Sequence, residues 1–158
     1  MPIAPEILEL EYRGYSQNGE PVLIDAYRIL KKQWNEGDRD REVGLHLLFL
    51  SWYGLVEPPF VFGEYVEEVD KLQQTFNQVF EYFQPQINSD PELLYVIGLA
   101  AHLFSYMLGD ETEWENRAIE FRKRYRQLKP DGIEPEVFHG RGAYGEYYEH
   151  QARVIGGY

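Results

Sequence analysis

The sequence predicts an all-α domain, and three observations carry that prediction. Apolar residues recur at three- and four-residue spacing through most of the chain from Pro21 to Lys129. Prolines fall between these stretches, at 58, 59, 85, 91 and 130, and not within them. Residues suited to helix ends stand at the same boundaries: Gly37 and Asp38, Ser89 and Asp90, Gly109 and Asp110.

In order along the chain, residues 1–20 are the exception. Leu8, Leu10 and Tyr12 alternate with Glu9, Glu11 and Arg13, which predicts a short strand or an extended N-terminal arm. Leu23, Tyr27, Leu30 and Trp34 then share one helical face, with Gly37 placed for a left-handed C-terminus. Asp38 is the expected N-cap of a second helix, near 39–56, stopped by Glu57-Pro58-Pro59. That helix is apolar nearly all round and is therefore expected at the centre of the core.

A third helix follows from Val66, Val69, Leu72, Phe76, Val79, Phe80 and Phe83, its outer face carrying Glu64, Glu67, Glu68, Lys71, Gln74 and Glu81. Ser89-Asp90-Pro91-Glu92 combines candidate caps, a first-turn proline and a capping-box glutamate, and opens a second central helix near 91–108. Glu113 to Lys129 forms another, with Trp114, Ala118, Phe121, Tyr125 and Leu128 as its buried stripe. The Gly/Tyr-rich tail, 132–158, reads as a loop and a short final helix with Tyr144, Tyr147, Tyr148 and Val154 on one side. The expectation is one domain over 1–158, five or six helices stacked as antiparallel hairpins. At an offset of 54 residues, Val43-Gly44-Leu45 aligns with Ile97-Gly98-Leu99 and Ser51 with Ser105, as a duplicated hairpin would leave them.

Composition narrows the function. With 27 acidic and 15 basic residues, the net charge is −12, which argues against nonspecific nucleic-acid binding. A content of 44% hydrophobic and 16% aromatic residues is too apolar for disorder. There is no cysteine, so disulfides, thiolate zinc sites and cysteine nucleophiles are excluded. The N-terminal residues lack the basic and apolar pattern of a leader. The apolar stretches 43–56 and 96–108 are shorter than the roughly 20 residues of a membrane span, so a soluble, cytoplasmic protein is expected.

Candidate chemistry is sparse. Glu42 and His46 stand one helical turn apart, and with His102 they define a candidate pocket between the two central helices. Glu136 and His139 have the spacing of a di-iron half-site, but a second copy is missing, so neither metal nor cofactor is expected. The turn His139-Gly140-Arg141-Gly142, with Tyr144 behind it, is a candidate anion-binding or interface element. Neither a nucleophile elbow nor a phosphate-binding glycine loop occurs.

Charge is distributed unevenly. From Glu57 to Glu115 there are twelve acids and one base, Lys71, whereas Arg117 to Lys129 holds six bases and one acid. Acids opening and bases closing a helix suit its dipole, but the long acidic stretch has no such explanation. Glu64, Glu67, Glu68, Asp110, Glu111 and Glu113 are therefore the candidate contacts for a basic protein partner.

Gly109-Asp110 followed by Ala118, Phe121 and Pro130 resembles the second helix of a tetratricopeptide-type hairpin, over about Leu93 to Pro130. About four residues are extra, and a 34-residue period is lacking elsewhere, so the resemblance implies hairpin stacking without a repeat array. In size, acidity and tyrosine content the whole chain also resembles bacterial toxin-immunity proteins. That likeness implies a non-enzymatic inhibitor that neutralises a basic toxin, such as a nuclease, by stoichiometric occlusion. The alternatives are a small-ligand-binding or enzymatic domain using the Glu42, His46 and His102 pocket, and a hairpin-type adaptor.

Overall fold

The computed structural model describes residues 3–15, 22–57 and 69–155. Among them are seven α-helices and no strand: α1 Pro5–Tyr15, α2 Leu23–Asn35, α3 Arg41–Val56, α4 Val69–Phe83, α5 Pro91–Phe104, α6 Glu111–Leu128 and α7 Gly142–Ile155. Short 3-10 turns at Gln84–Ser89, Ser105–Met107 and Pro135–Phe138 connect or extend them.

The N-terminal segment corrects the expected strand or arm. Ile3, Ile7, Glu11 and Gly14 are buried, at spacings of four, four and three, which is a helical stripe. The stripe escapes an apolar count because two of its members are a glutamate and a glycine. Gly14 is required by packing, since a Cβ there would lie 2.7 Å from the Leu23 side chain.

α2 buries Leu23, Tyr27, Leu30 and Trp34 as expected and closes at Gly37, whose φ of 101° suits glycine. The cap of α3 is Asp40 and not Asp38. The Asp40 carboxylate accepts the Glu42 N–H at 2.9 Å, while Asp38 accepts the Asp40 N–H one step outside the helix. Twelve of the 16 residues of α3 are buried, and it packs against α2, α4, α5 and α7, which makes it the central helix. Inside it, the Ser51 hydroxyl donates to the Leu47 carbonyl one turn back.

α4 buries Leu72, Phe76, Val79, Phe80 and Phe83. Phe83 rests on Gly44 of α3, where an added Cβ would meet the ring at 2.5 Å. Val66, Glu64, Glu67 and Glu68 lie outside the described residues. α5 is capped by Asp90, which accepts the Leu93 N–H, while Ser89 bonds back to the Gln86 carbonyl. It gives way at Ser105 to a 3-10 turn, earlier than the expected Leu108. α5 and α6 form a helical hairpin with Trp114, Ala118, Phe121 and Tyr125 buried.

α7 is longer than expected, and its buried side runs Tyr144, Tyr148, Ala152; Val154 faces solvent. The α7 tyrosines pack on the core. Phe49 lies 5.1 to 6.5 Å, centroid to centroid, from Trp52, Tyr53, Tyr144, Tyr147 and Tyr148. Among the described residues no helix is long and apolar enough to cross a membrane. The starts of α3 and α5 correspond at a different offset from the sequence match: Asp40 and Glu42 hold the same cap-relative positions as Asp90 and Glu92, one helical turn out of register with the glycine alignment.

Candidate functional site

The first turns of α3, α5 and α7 meet beside α1, and their polar residues form one connected cluster. At its centre the fully buried His46 has carboxylates on both ring nitrogens, Glu11 at 2.7 Å on Nδ1 and Glu42 at 3.2 Å on Nε2. With a carboxylate on each nitrogen, the geometry favours a ring that donates from both and carries a positive charge. Burial alone would lower its pKa, but Glu11 and Glu42 more than offset that and raise it to about 9. Its ring stacks on Tyr144 at 4.8 Å.

Glu11 has a second task. Its Oε1 accepts the Ala143 N–H at 3.1 Å and lies 3.5 Å from the Tyr144 nitrogen, in the first turn of α7. A carboxylate from α1 thus caps α7 from across the fold, where the helix dipole favours negative charge. Gly142 makes this approach possible: its φ is 69°, and a Cβ there would lie 2.5 Å from Glu11 Oε1.

Glu42 joins His46 to Arg141, which donates to it from Nε at 2.7 Å and from Nη2 at 2.8 Å. Burial opposes ionisation of Glu42, but hydrogen bonds from His46 and Arg141 carry its pKa down to about 2. Arg141 also donates to Glu92 at 2.8 Å, and Glu92 accepts the Tyr144 hydroxyl. Burial and the neighbouring Glu92 hold that phenol well above its usual range, so it remains a donor. Arg41 completes the edge through Asp90 at 3.0 Å and Glu92 at 3.5 Å.

Each of these groups is committed to another member of the cluster. A general acid or base has to reach a substrate with a free lone pair or proton, and His46 is enclosed with both nitrogens engaged. The cluster is therefore a latch that ties α1, α3, α5 and α7 together.

The expected pocket of Glu42, His46 and His102 is not assembled. His102 is exposed and lines a groove of about 450 Å³ between α5 and α6, with Ala101, Ser105, Glu115, Ala118, Ile119 and Arg122. The expected anion or interface turn is also corrected: Arg141 is occupied by Glu42 and Glu92, and Tyr144 is fully buried. His139 stands in solvent, 3.8 Å from Glu149. Glu136 follows Pro135 in a 3-10 turn, so the Glu136 and His139 pair is not on a long helix. Among the described residues no group of three or more histidine, aspartate and glutamate side chains is placed to hold a metal ion.

Of the acidic contact residues, Glu64, Glu67 and Glu68 lie outside the described residues. Asp110 caps α6 by accepting the Glu113 N–H at 2.8 Å. Glu113 pairs with Arg117 at 2.6 Å, and that guanidinium covers the rings of Phe80 and Trp114. Glu111 is exposed, as is Glu115. Large apolar side chains are exposed in the same hairpin: Leu103 at 43%, Tyr106 at 57% and Ile119 at 69%.

Sequence reasoning missed Glu11, Arg41 and Glu92 as members of the cluster. One signal was present in the shared pattern Asp40-Arg41-Glu42 and Asp90-Pro91-Glu92, an N-cap with a glutamate two residues on. Compared with known protein families, with curated proteins and with solved structures, the chain matches none.

Proposed function

We propose that the chain is a protein-binding module without catalytic activity, in its most specific form an immunity protein that neutralises a basic bacterial toxin, such as a nuclease, by stoichiometric occlusion. One observation carries the reading: Tyr106 and Ile119 are more than half exposed on the hairpin whose opening turn presents Glu111 and Glu115 to solvent. Large, mainly apolar side chains bordered by acids suit a basic partner, the acids steering its approach and Tyr106 and Ile119 supplying desolvated contact. The commitment of His46, Glu42 and Arg141 to internal contacts supports binding over catalysis.

The test is affinity capture from the source organism on immobilised full-length chain, with the product of the neighbouring reading frame as first candidate. A basic protein retained at equal stoichiometry, released by salt, and lost with Tyr106→Ala combined with Glu111→Lys is the expected result. Recovery of no basic protein, or capture indifferent to both substitutions, overturns the proposal.

A further inference from the structure

The groove between α2 and α4 runs against the charge of the chain. Its volume is about 660 Å³, within the range of small-molecule sites. On one wall Arg28, Lys31 and Asn35 follow each other at three and four residues along α2, with Lys32 beside them; on the other, Lys71, Gln74 and Gln78 do the same along α4. Its floor is the hydroxyl pair of Tyr27 and Thr75, 2.7 Å apart and buried. Four cations and one acid, Glu36, therefore line a groove in a chain of net charge −12. Lys71 is the single base in the acidic stretch from Glu57 to Glu115.

Most of this charge is not neutralised among the described residues. Glu36 stands 3.9 Å from Lys32. Lys31 bonds to the neutral Gln78 carbonyl oxygen at 2.8 Å, and Arg28 and Lys71 have no carboxylate partner among the described residues. Arg41 and Arg141, by contrast, are paired with carboxylates. Burial and the nearby Arg39 lower the Lys31 pKa, the direction expected of an ammonium without a counter-ion.

We propose that the α2–α4 groove binds a small polyanion bearing two or three linked phosphates. The lysines and Arg28 would neutralise the phosphoryl oxygens from both walls, and the amide groups of Asn35, Gln74 and Gln78 would donate to those that remain. The overall negative charge of the chain repels anions at long range, so retention of a polyphosphate requires a local site of this kind.

The experiment is isothermal titration of the full-length chain with inorganic tripolyphosphate at low ionic strength, with polyglutamate as a second titrant. One saturable site is expected for tripolyphosphate, weakened about fivefold by Lys31→Gln and again by Lys71→Gln, and unchanged by Lys123→Gln on the exposed side of α6. Circular dichroism keeps loss of folding distinguishable from loss of binding. Absence of saturable binding, equal weakening by Lys123→Gln, or polyglutamate binding as tightly as tripolyphosphate overturns the proposal.

Discussion

The latch around His46 and the groove between α2 and α4 are made of the same kinds of side chain put to opposite uses. In the latch, Glu11, Glu42, Asp90 and Glu92 face His46, Arg41 and Arg141 at hydrogen-bonding or ion-pairing distance, and the first turn of α7 adds its own partial positive charge. In the groove, Arg28, Lys31 and Lys71 are set beside amides and hydroxyls, and among the described residues none of the three is paired with a carboxylate. Charges that satisfy each other inside a fold hold it together and have nothing left to offer. Charges left uncompensated at a concave surface contribute little to stability and remain available to a ligand.

That contrast can be broken most sharply at Glu11. Glu11→Ala removes the anion from beside a buried imidazolium and uncaps α7, so unfolding in urea should show a loss of about 3 to 5 kcal/mol. A loss under about 1 kcal/mol would mean that the latch does not bear on stability.

The next largest effect is set by pH. His46 is raised from an ordinary 6.5 to about 9, so its contribution is fully present below pH 6.5 and disappears as pH rises through 9. The loss over that window should be roughly 3 kcal/mol. Glu42, lowered to about 2, acts in the other direction: its contribution is present above about pH 4.5 and fades as pH falls toward 2. Denaturation midpoints measured across pH should therefore form a plateau between those limits, and a flat profile from pH 6.5 to 9 would show a neutral His46. A smaller change comes from Tyr144→Phe, which removes the hydroxyl donated to Glu92 while keeping the ring; about 2 kcal/mol is expected in the same assay. Smallest of all, Lys31→Gln and Lys71→Gln should leave stability within about 0.5 kcal/mol of the parent, because neither cation has an ion-pair partner among the described residues. A large loss from either would place the groove with the latch.

Much of the fold was legible because burial follows local periodicity. Leu23, Tyr27, Leu30 and Trp34 face inward as their spacing requires, and so do Trp114, Ala118, Phe121 and Tyr125. α1 was misread because its inward stripe contains Glu11, whose burial is acceptable only beside His46, a residue on another helix. Asp38 and Asp40 are equally good caps on paper, and only the backbone path after Gly37 decides between them. For the site, Glu42 and His46 were visible as a pair one turn apart, but their meaning was reversed by Arg141, distant in the chain, which consumes Glu42. His102 was grouped with them on the strength of sharing an apolar helix type, and it faces solvent on a different hairpin.

By itself the sequence determined the helical class, the inward faces of α2, α4 and α6 and the burial of α3 and α5 on most sides, because helix pitch converts residue spacing into a face without reference to the rest of the molecule. Only the tertiary structure decided which charges meet. Glu11 reaches the start of α7 and Glu42 reaches Arg141 because the first turns of α3, α5 and α7 meet beside α1, while Arg28 and Lys71 come to face a common groove because α2 and α4 form its two walls. Electrostatic partnership depends on distance in space and on dielectric surroundings, and neither is encoded in the period of a single helix.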